Sequence, residues 1–221
     1  MSVNQINYKN ILSELQTTNT TLVAVSKTKP AQEIQELYDF GQRDFGENNV
    51  QELTEKAEML PKDIRWHFIG HLQRNKVKYI ASFVHLIHGV DSEKLLNEIN
   101  KEGRKNNKVI NCLLQIHIAQ EETKFGFDRQ EVTDLMDKIK SGKLVFEHVK
   151  ICGLMGMASF TEDMQKVKAE FEMLQSLFKE VKQSFPEMDT LSMGMSGDYN
   201  IAVASGSTMV RIGSLLFGAR V

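Results

Sequence analysis

Short apolar runs alternate with helical apolar stripes along most of the chain. The clearest run, Leu22 to Val25, has no polar alternation and is typical of a strand covered on both faces. The same pattern predicts eight strands, at Leu22 to Val25, Arg43 to Gly46, Trp66 to Gly70, Phe83 to Val90, Val109 to Ile118, Val149 to Met157, Thr190 to Met193 and Met209 to Ile212. Helical stripes separate these strands, and a further helix at Asn7 to Gln16 precedes the first.

This order of elements favours one fold class. Eight strands separated by helices in 221 residues match the lower size limit of a (β/α)8 barrel. An open doubly wound sheet is the competing fold, but the strand count and the glycines at the strand ends favour the barrel. We therefore predict an α/β fold, a single (β/α)8 TIM barrel with an extra N-terminal helix, in which residues 1–221 form one domain.

Net charge, apolar stretches and cysteine spacing limit which partners the protein can have and in which compartment it is expected. The formal net charge of −2 argues against nucleic acid as the main partner. No apolar stretch is long enough for a signal peptide or a membrane span, so we expect a cytoplasmic protein without a membrane partner. Cys112 and Cys152 lie in predicted strands without a Cys-x-x-Cys spacing, which suits reduced thiols.

In a barrel, chemistry is expected at the carboxyl ends of the strands. Lys27 follows the first strand in the sequence LVAVSKTKP, which runs from Leu22 to Pro30. One interpretation is a lysine whose stem packs while its ammonium reaches solvent or a carboxylate. The other is an amine held in a pocket for covalent chemistry with a carbonyl group.

The ends of the last two strands offer an anion site. The loop Ser192 to Asp198 and the segment Val210 to Ser214 each lead into a helix, and helix N-termini favour a phosphate group. Tight capped turns are the alternative. Arg211 interrupts the eighth strand, so it either pairs with a carboxylate inside the barrel or reaches the far side of a flat ring. An amine, a phosphate cradle and a basic group together match the aldehyde, phosphate and ring nitrogen of pyridoxal 5′-phosphate (PLP).

Several motifs make a resemblance specific. They are AVSKTKP, FGENNVQE, WHFIGHLQRNK, LSMGMSGD and GSTMVRIGSLLFGAR, and between Leu22 and Arg220 they resemble the pyridoxal phosphate homeostasis protein family, the single-barrel relatives of the alanine racemase N-terminal domain. By this resemblance Lys27 carries the internal aldimine and Arg211 approaches the pyridine nitrogen. It further implies that the phosphate is held by Ser192, Ser196, Gly213 and Ser214, and that Asn48 lines the pocket. His71 and Ser214 depart from the family, where proline and threonine are common.

The resemblance implies a function without turnover. We expect covalent PLP binding in vitamin B6 and amino-acid homeostasis, with no catalytic residue and no metal site. Candidate partners are free amino acids and, transiently, PLP-dependent enzymes, and a monomer is expected. The alternatives are a PLP-dependent amino-acid racemase and a barrel for another phosphorylated ligand. Racemisation needs acid/base groups on both faces of the cofactor, and because the chain stops at Val221 we expect no second domain to supply one.

Two further groups of basic side chains stand out in the sequence, a pair of histidines in one case and a strip of arginine and lysine in the other. His85 and His88 lie three residues apart on a predicted strand and should point to opposite faces, which does not make a metal pair. Arg74, Lys76 and Lys78 form a basic strip, interpreted as a solvated face that could also attract an anionic partner.

Overall fold

The computed structural model describes residues 3–119 and 125–218. Within these residues, eight parallel strands close into a barrel in sequence order, with the last strand beside the first. The strands are β1 (Thr21–Val25), β2 (Asp44–Glu47), β3 (Arg65–Phe68), β4 (Leu86–Val90), β5 (Ile110–Ile116), β6 (Val149–Gly156), β7 (Thr190–Ser192) and β8 (Met209–Ile212). The predicted TIM barrel is confirmed.

Helices cover the outside of the barrel. They are α1 (Gln5–Gln16), α2 (Ala31–Asp39), α3 (Val50–Met59), α4 (Val77–Ile80), α5 (Glu93–Lys105), α6 (Arg129–Lys140), α7 (Met164–Ser184), α8 (Tyr199–Ala204) and α9 (Ser214–Phe217), with a short 3-10 turn at Arg74–Lys76. The extra N-terminal helix α1 is confirmed. Asn4 caps it and its backbone N–H donates to Leu216 O at 2.8 Å, which ties α1 to α9 beside the junction of β8 and β1.

All eight predicted strands are present, with small differences at their ends. The largest is in β4, which begins at Leu86 rather than at Phe83. The reason is a turn after α4, in which the N–H groups of Phe83 and Val84 donate to Ile80 O at 3.2 and 2.9 Å. Those hydrogen bonds replace the strand pairing that the apolar run Phe83 to Leu86 suggests.

Apolar side chains form two separate clusters. The larger lies between the strands and the surrounding helices and includes Phe45, Phe68 and Phe171. The smaller contains only strand residues from opposite sides of the barrel and therefore fills its interior: Val23, Leu86, Leu113, Met155 and Met209. The interior also holds buried polar side chains, among them His67, His88 and Arg211.

Two smaller expectations concern the cysteines and the membrane. Cys112 and Cys152 are both free thiols, as predicted. None of the helices in the described ranges combines the length and the apolar character that crossing a bilayer requires.

Candidate functional site

Lys27 sits in a tight turn directly beyond β1. The turn is closed by Lys29 N–H donating to Ser26 O at 3.0 Å, and Thr28 has a φ of +64°. A positive φ is uncommon for a β-branched residue, so the surrounding contacts must hold this conformation. Lys27 itself is half-buried. The turn therefore presents the lysine at the barrel mouth from a fixed backbone.

The contacts that hold this turn come from β2 and α3. Lys56 Nζ donates to Ser26 O at 2.8 Å, to Glu47 Oε1 at 2.7 Å and to Glu52 Oε1 at 2.6 Å. Glu47 Oε1 also accepts the Ser26 hydroxyl at 2.6 Å, and Glu52 Oε1 accepts Thr28 N–H at 2.6 Å. The residues on both sides of Lys27 are thus anchored by charged side chains.

We call Ser26, Glu47, Glu52 and Lys56 the buried scaffold of the Lys27 turn. Within it, burying the Glu47 carboxylate carries the largest desolvation penalty. The Glu47 side chain is fully buried, and its second carboxylate oxygen, Oε2, has no hydrogen-bond partner among the residues that the structure describes. Burial raises the pKa of Glu47, and the neighbouring Lys56 ammonium opposes that rise. Lys56 is therefore needed to keep a carboxylate at this position.

Arg211 lies inside the barrel, 4% exposed. Its Nη1 donates to Ser192 Oγ at 2.7 Å and its Nη2 to Gly156 O at 3.1 Å, so one guanidinium ties β8 to β7 and β6. Burial lowers the pKa of Arg211 to about 10, which leaves it protonated at neutral pH. Because Arg211 is opposite Val23 on β1, it lies on the strand next to the Lys27 turn.

Ser192 is placed differently from the expected phosphate ligand. Its side chain is fully buried in the barrel, where Oγ accepts from Arg211 and lies 3.2 Å from His88 Nδ1. A hydroxyl has one proton to donate, and a phosphate dianion needs a donor. Because Ser192 Oγ lies between Arg211 and His88 in the barrel interior, its position suits support of Arg211 rather than the phosphate group.

The other three residues expected at the phosphate do lie together. Ser196 Oγ accepts Gly213 N–H at 3.3 Å, which joins the loop after β7 to the start of α9, and Ser214 is exposed at the first position of that helix. A Cβ on Gly213 would lie 3.2 Å from Val25 O, so glycine gives the close approach of this loop to β1. Asp198 closes the Ser196 loop by accepting Met195 N–H at 2.5 Å.

Asn48 lies at the rim of the mouth, exposed, between the end of β2 and the start of α3. Gly70, after β3, packs directly against the Asn48 carbonyl, and the structure has no space there for a Cβ. His71, the next residue, pairs its Nδ1 with Asp91 Oδ2 at 3.1 Å and stacks on Phe125. These contacts fix the rim between β2 and β4.

Sequence reasoning missed the polar interior of the barrel. His67 and His88 are fully buried and Asp44 is nearly so, and they connect Ser192 to the opposite end of the barrel. The expectation that His85 and His88 point apart is wrong, since both rings lie next to His67, at centroid distances of 5.3 and 5.2 Å. His85 precedes β4 rather than belonging to it, so strand alternation does not apply there.

The donor set at the mouth fits a flat, phosphorylated aldehyde. A lysine amine stands on a fixed turn, a buried guanidinium lies on the next strand, and hydroxyl and N–H donors gather at Ser196, Gly213 and Ser214. Helix N-termini carry N–H groups without intrahelical partners, which suits a phosphate group. The residues present would thus complement the aldehyde, the phosphate and the ring nitrogen of PLP, a cofactor whose aldehyde reacts with amines.

Comparisons with known proteins agree with this fold. The sequence profile of the alanine racemase N-terminal domain family matches residues 4–221. The pyridoxal phosphate homeostasis protein of Pasteurella multocida is 40% identical over 204 residues, covering 90% of this chain and 86% of its own length. That of Aquifex aeolicus is 41% identical over 201 residues, with the same coverage of 90% and 86%.

A solved structure adds a cofactor-bound relative. PipY of Synechococcus elongatus, with PLP bound, superimposes with a TM-score of 0.84 at 33% identity, covering 97% of this chain and 100% of PipY. The family profile, matched over residues 4–221, includes the turns that carry Lys27 and Gly213. This chain belongs to the pyridoxal phosphate homeostasis protein family, within the alanine racemase N-terminal domain family.

Proposed function

We propose that this protein binds PLP covalently through Lys27 and acts in intracellular vitamin B6 and amino-acid homeostasis, without turnover chemistry of its own. The observation that carries the proposal is the placement of the Lys27 turn and Arg211 on the neighbouring strands β1 and β8, with Gly213 and Ser214 directly beyond. The PLP-bound PipY structure and the names of the curated relatives support it.

The covalent step is imine formation. The Lys27 amine adds to the aldehyde carbon of the cofactor and one water leaves, so that a C=N bond replaces C=O. An ordinary lysine, with a pKa of about 10.4, has only about one neutral amine in a few thousand at neutral pH. Only this neutral form of the amine can add to the carbonyl carbon.

The remaining residues hold and orient the cofactor. Ser196, Gly213 and Ser214 bind the phosphate through hydroxyl and N–H donors, while Arg211 donates a hydrogen bond to the ring nitrogen. Ser192 keeps the Arg211 guanidinium in place rather than binding the phosphate. Asn48 contributes at the rim of the pocket. PLP bound in this way supplies an electron-withdrawing ring, and a protonated arginine at its nitrogen weakens that property.

Three of the four tyrosines have hydroxyls that are engaged by other side chains. Tyr8, Tyr38 and Tyr199 donate their hydroxyls to Gln42, Asp63 and Glu14, at 3.3, 2.8 and 2.8 Å. Tyr79 is exposed on α4. None of the four is therefore positioned as the second acid/base group that racemisation requires.

We expect no racemisation at an enzymatic rate. Purified protein with PLP, incubated in deuterium oxide with each enantiomer of alanine and serine, should exchange the α-proton slowly at most, since Lys27 serves only one face. Proton NMR and optical rotation measure the exchange, and a Lys27→Ala variant gives the background. Lys27-dependent loss of optical activity over many turnovers would instead identify a racemase.

Replacing Arg211 by glutamate should protonate the ring nitrogen of bound PLP and alter its visible absorption spectrum. The physical reason is that a carboxylate accepts a hydrogen bond and so stabilises a protonated ring nitrogen, whereas arginine donates and requires an unprotonated one. Arg74→Glu, a change of the same charge at the exposed 3-10 turn, serves as the matched control. Circular dichroism checks the fold. An unchanged spectrum and an unchanged PLP affinity in Arg211→Glu would show that Arg211 lies elsewhere relative to the ring.

The homeostatic role includes partners. We propose that a monomer exchanges PLP with free amino acids and, transiently, with PLP-dependent enzymes in the cytoplasm. Metabolite profiles of a deletion strain, complemented by wild-type protein or by Lys27→Ala, test this role. Restoration of vitamin B6 and amino-acid pools by wild-type protein alone is the expected result, and equal restoration by Lys27→Ala would contradict a role for the covalent linkage.

A further inference from the structure

A line of buried polar side chains crosses the barrel interior from the site to the N-terminal ends of the strands. Below Arg211, Ser192 Oγ lies 3.2 Å from His88 Nδ1. His88 Nε2 lies 2.9 Å from His67 Nδ1, and His67 Nε2 lies 3.0 Å from Asp44 Oδ1. Both histidines are fully buried. Side chains of β2, β3, β4, β7 and β8 thus form one continuous chain, which we call the interior chain.

The far end of the interior chain is an anion. Arg65 holds Asp44 with two hydrogen bonds, Nε to Oδ1 at 2.7 Å and Nη2 to Oδ2 at 2.5 Å. Burial raises the pKa of Asp44, but the hydrogen bonds from Arg65 and His67 outweigh it and hold that pKa well below its usual range. An ionised carboxylate only accepts hydrogen bonds. His67 Nε2 must therefore carry a proton and donate to Asp44.

The near end fixes the same direction. Arg211 can only donate, so Ser192 Oγ accepts from it and directs its own proton to His88 Nδ1. A neutral His88 then carries its proton on Nε2 and donates to His67 Nδ1. Each hydrogen bond has one donor and one acceptor, all running from Arg211 toward Asp44. Burial, and after it the nearby Arg211 guanidinium, lowers the pKa of His88 well below its usual value, in agreement with a neutral ring.

The reverse arrangement leaves a buried group unsatisfied. If His67 were doubly protonated, its Nδ1 would donate to His88 Nε2, and His88 Nδ1 would donate to Ser192. Ser192 Oγ would then accept from both His88 and Arg211, and its own proton would find no acceptor among the hydrogen bonds of the described residues. A buried hydroxyl without an acceptor is destabilising.

We propose that Ser192, His88, His67 and Asp44 form a one-directional hydrogen-bond chain that positions the guanidinium of Arg211, and through it the hydrogen bond offered to the ring nitrogen of the bound cofactor. The second half rests on the proposed function. The four members are positioning residues, because they act through Arg211 and do not touch the ring.

A metal ion is the competing explanation for part of this cluster. Ligand atoms of Asp44, His67 and His85 lie within 4.8 Å of one another. However, a metal ion on His67 Nε2 would need the lone pair of that nitrogen, which carries a proton in the interior chain. Asp44 also already accepts hydrogen bonds from Arg65 with both of its oxygens. Metal binding and the proposed direction are therefore mutually exclusive, which a single measurement can decide.

The first experiment reads the tautomers in the protein without added PLP. Nitrogen-15 NMR of histidine-labelled protein at pH 7 separates protonated from unprotonated ring nitrogens. We expect His67 and His88 both to be neutral with the proton on Nε2, unaffected by one equivalent of Zn²⁺. Assignment uses His88→Gln and His67→Gln. A proton on Nδ1 of either ring, a doubly protonated ring, or a Zn²⁺-induced shift of His67 would overturn the chain. This arm holds whether or not PLP binds.

The second experiment reads the positioning of Arg211. With PLP labelled at its ring nitrogen, Ser192→Ala should shift the nitrogen-15 resonance and weaken PLP binding about tenfold, because a hydrogen bond to a charged group is lost. Ser192→Thr keeps the hydroxyl and should restore both values. His85→Asn, which contacts His67 without belonging to the chain, is the control and should match wild type. An unshifted resonance in Ser192→Ala with PLP bound would overturn the positioning role.

The two experiments distinguish a failure of this proposal from a failure of the proposed function. Wild-type protein that forms no complex with PLP would overturn the proposed function together with the positioning half. The tautomer measurement would still decide whether the interior chain has the direction inferred here.

Discussion

Replacing Lys56 by methionine should lower the free energy of unfolding by about 3–5 kcal/mol, because it leaves a buried carboxylate without its cation. Methionine keeps most of the apolar stem, so the change isolates the ammonium. The Glu47 carboxylate would retain only the Ser26 hydroxyl, and the carbonyl of Ser26 would keep the Lys29 N–H as its one donor among these contacts. Urea denaturation followed by circular dichroism measures the loss.

The destabilisation should depend on pH. The pKa of folded-state Glu47 is raised above the reference value of 4.5, so stability linked to this group is present below pH 4.5 and is lost as the pH rises through the folded-state pKa. Without Lys56 that pKa rises further, and the loss extends to higher pH. The difference between Lys56→Met and wild type should therefore be smaller at pH 5 than at pH 8.

Two controls define the source of this effect. Lys101 pairs with Glu98 on the exposed surface of α5, so Lys101→Met should change stability little. Adding Glu47→Gln to Lys56→Met removes the buried charge and should recover part of the loss. If Lys56→Met were as stable as Lys101→Met, the buried scaffold would not hold the Lys27 turn.

Replacing Lys27 by alanine should abolish the covalent complex with PLP. Borohydride reduction of the wild-type complex should leave the pyridoxyl group on the peptide that contains Lys27, as mapped by mass spectrometry, and Lys27→Ala should carry none. The reason is positional, since the turn that displays Lys27 is anchored on both sides while Lys29 is engaged elsewhere: Lys29 Nζ donates to Phe217 O at 2.8 Å.

Lys29→Ala is the matched control because it removes the neighbouring amine from the same turn. We expect it to form the reduced adduct to the same extent as wild type. A pyridoxyl group on Lys29 in the wild-type protein would refute the assignment, and Lys29→Ala would then lose the adduct.

Much of the fold is predictable because each buried barrel strand corresponds to a short apolar run that is visible within a few consecutive residues. Leu22 to Val25 and Met209 to Ile212 are read directly as apolar runs, and the structure has strands there. Lys27 and Arg211 are visible for the same reason, since each breaks or ends an apolar run. Glycine at Gly213 marks a close approach that the sequence also suggests.

The side-chain contacts that the sequence does not reveal are those between residues brought together only when the barrel closes. Asp44, His67 and His88 each look like a lone polar residue in a strand, and they meet only because β2, β3 and β4 turn the same face inward. The spacing of Glu52 and Lys56 indicates a helical ion pair. Their contacts with Thr28 and Ser26, however, depend on how α3 docks. The glycine-rich loop after Ser192 indicates a phosphate ligand, whereas the inward direction of this side chain in β7 places it against Arg211 and His88.

The proposed site draws its amine from the first strand of the barrel and its guanidinium from the last, which pair side by side. Next to them the ladder between β7 and β8 is short, with Ser192 opposite Met209, and Arg211 adds side-chain ties across it. During synthesis the ribosome releases β1 long before β8. We therefore expect a newly made chain to assemble the proposed site only after β8 has emerged from the ribosome and docked beside β1.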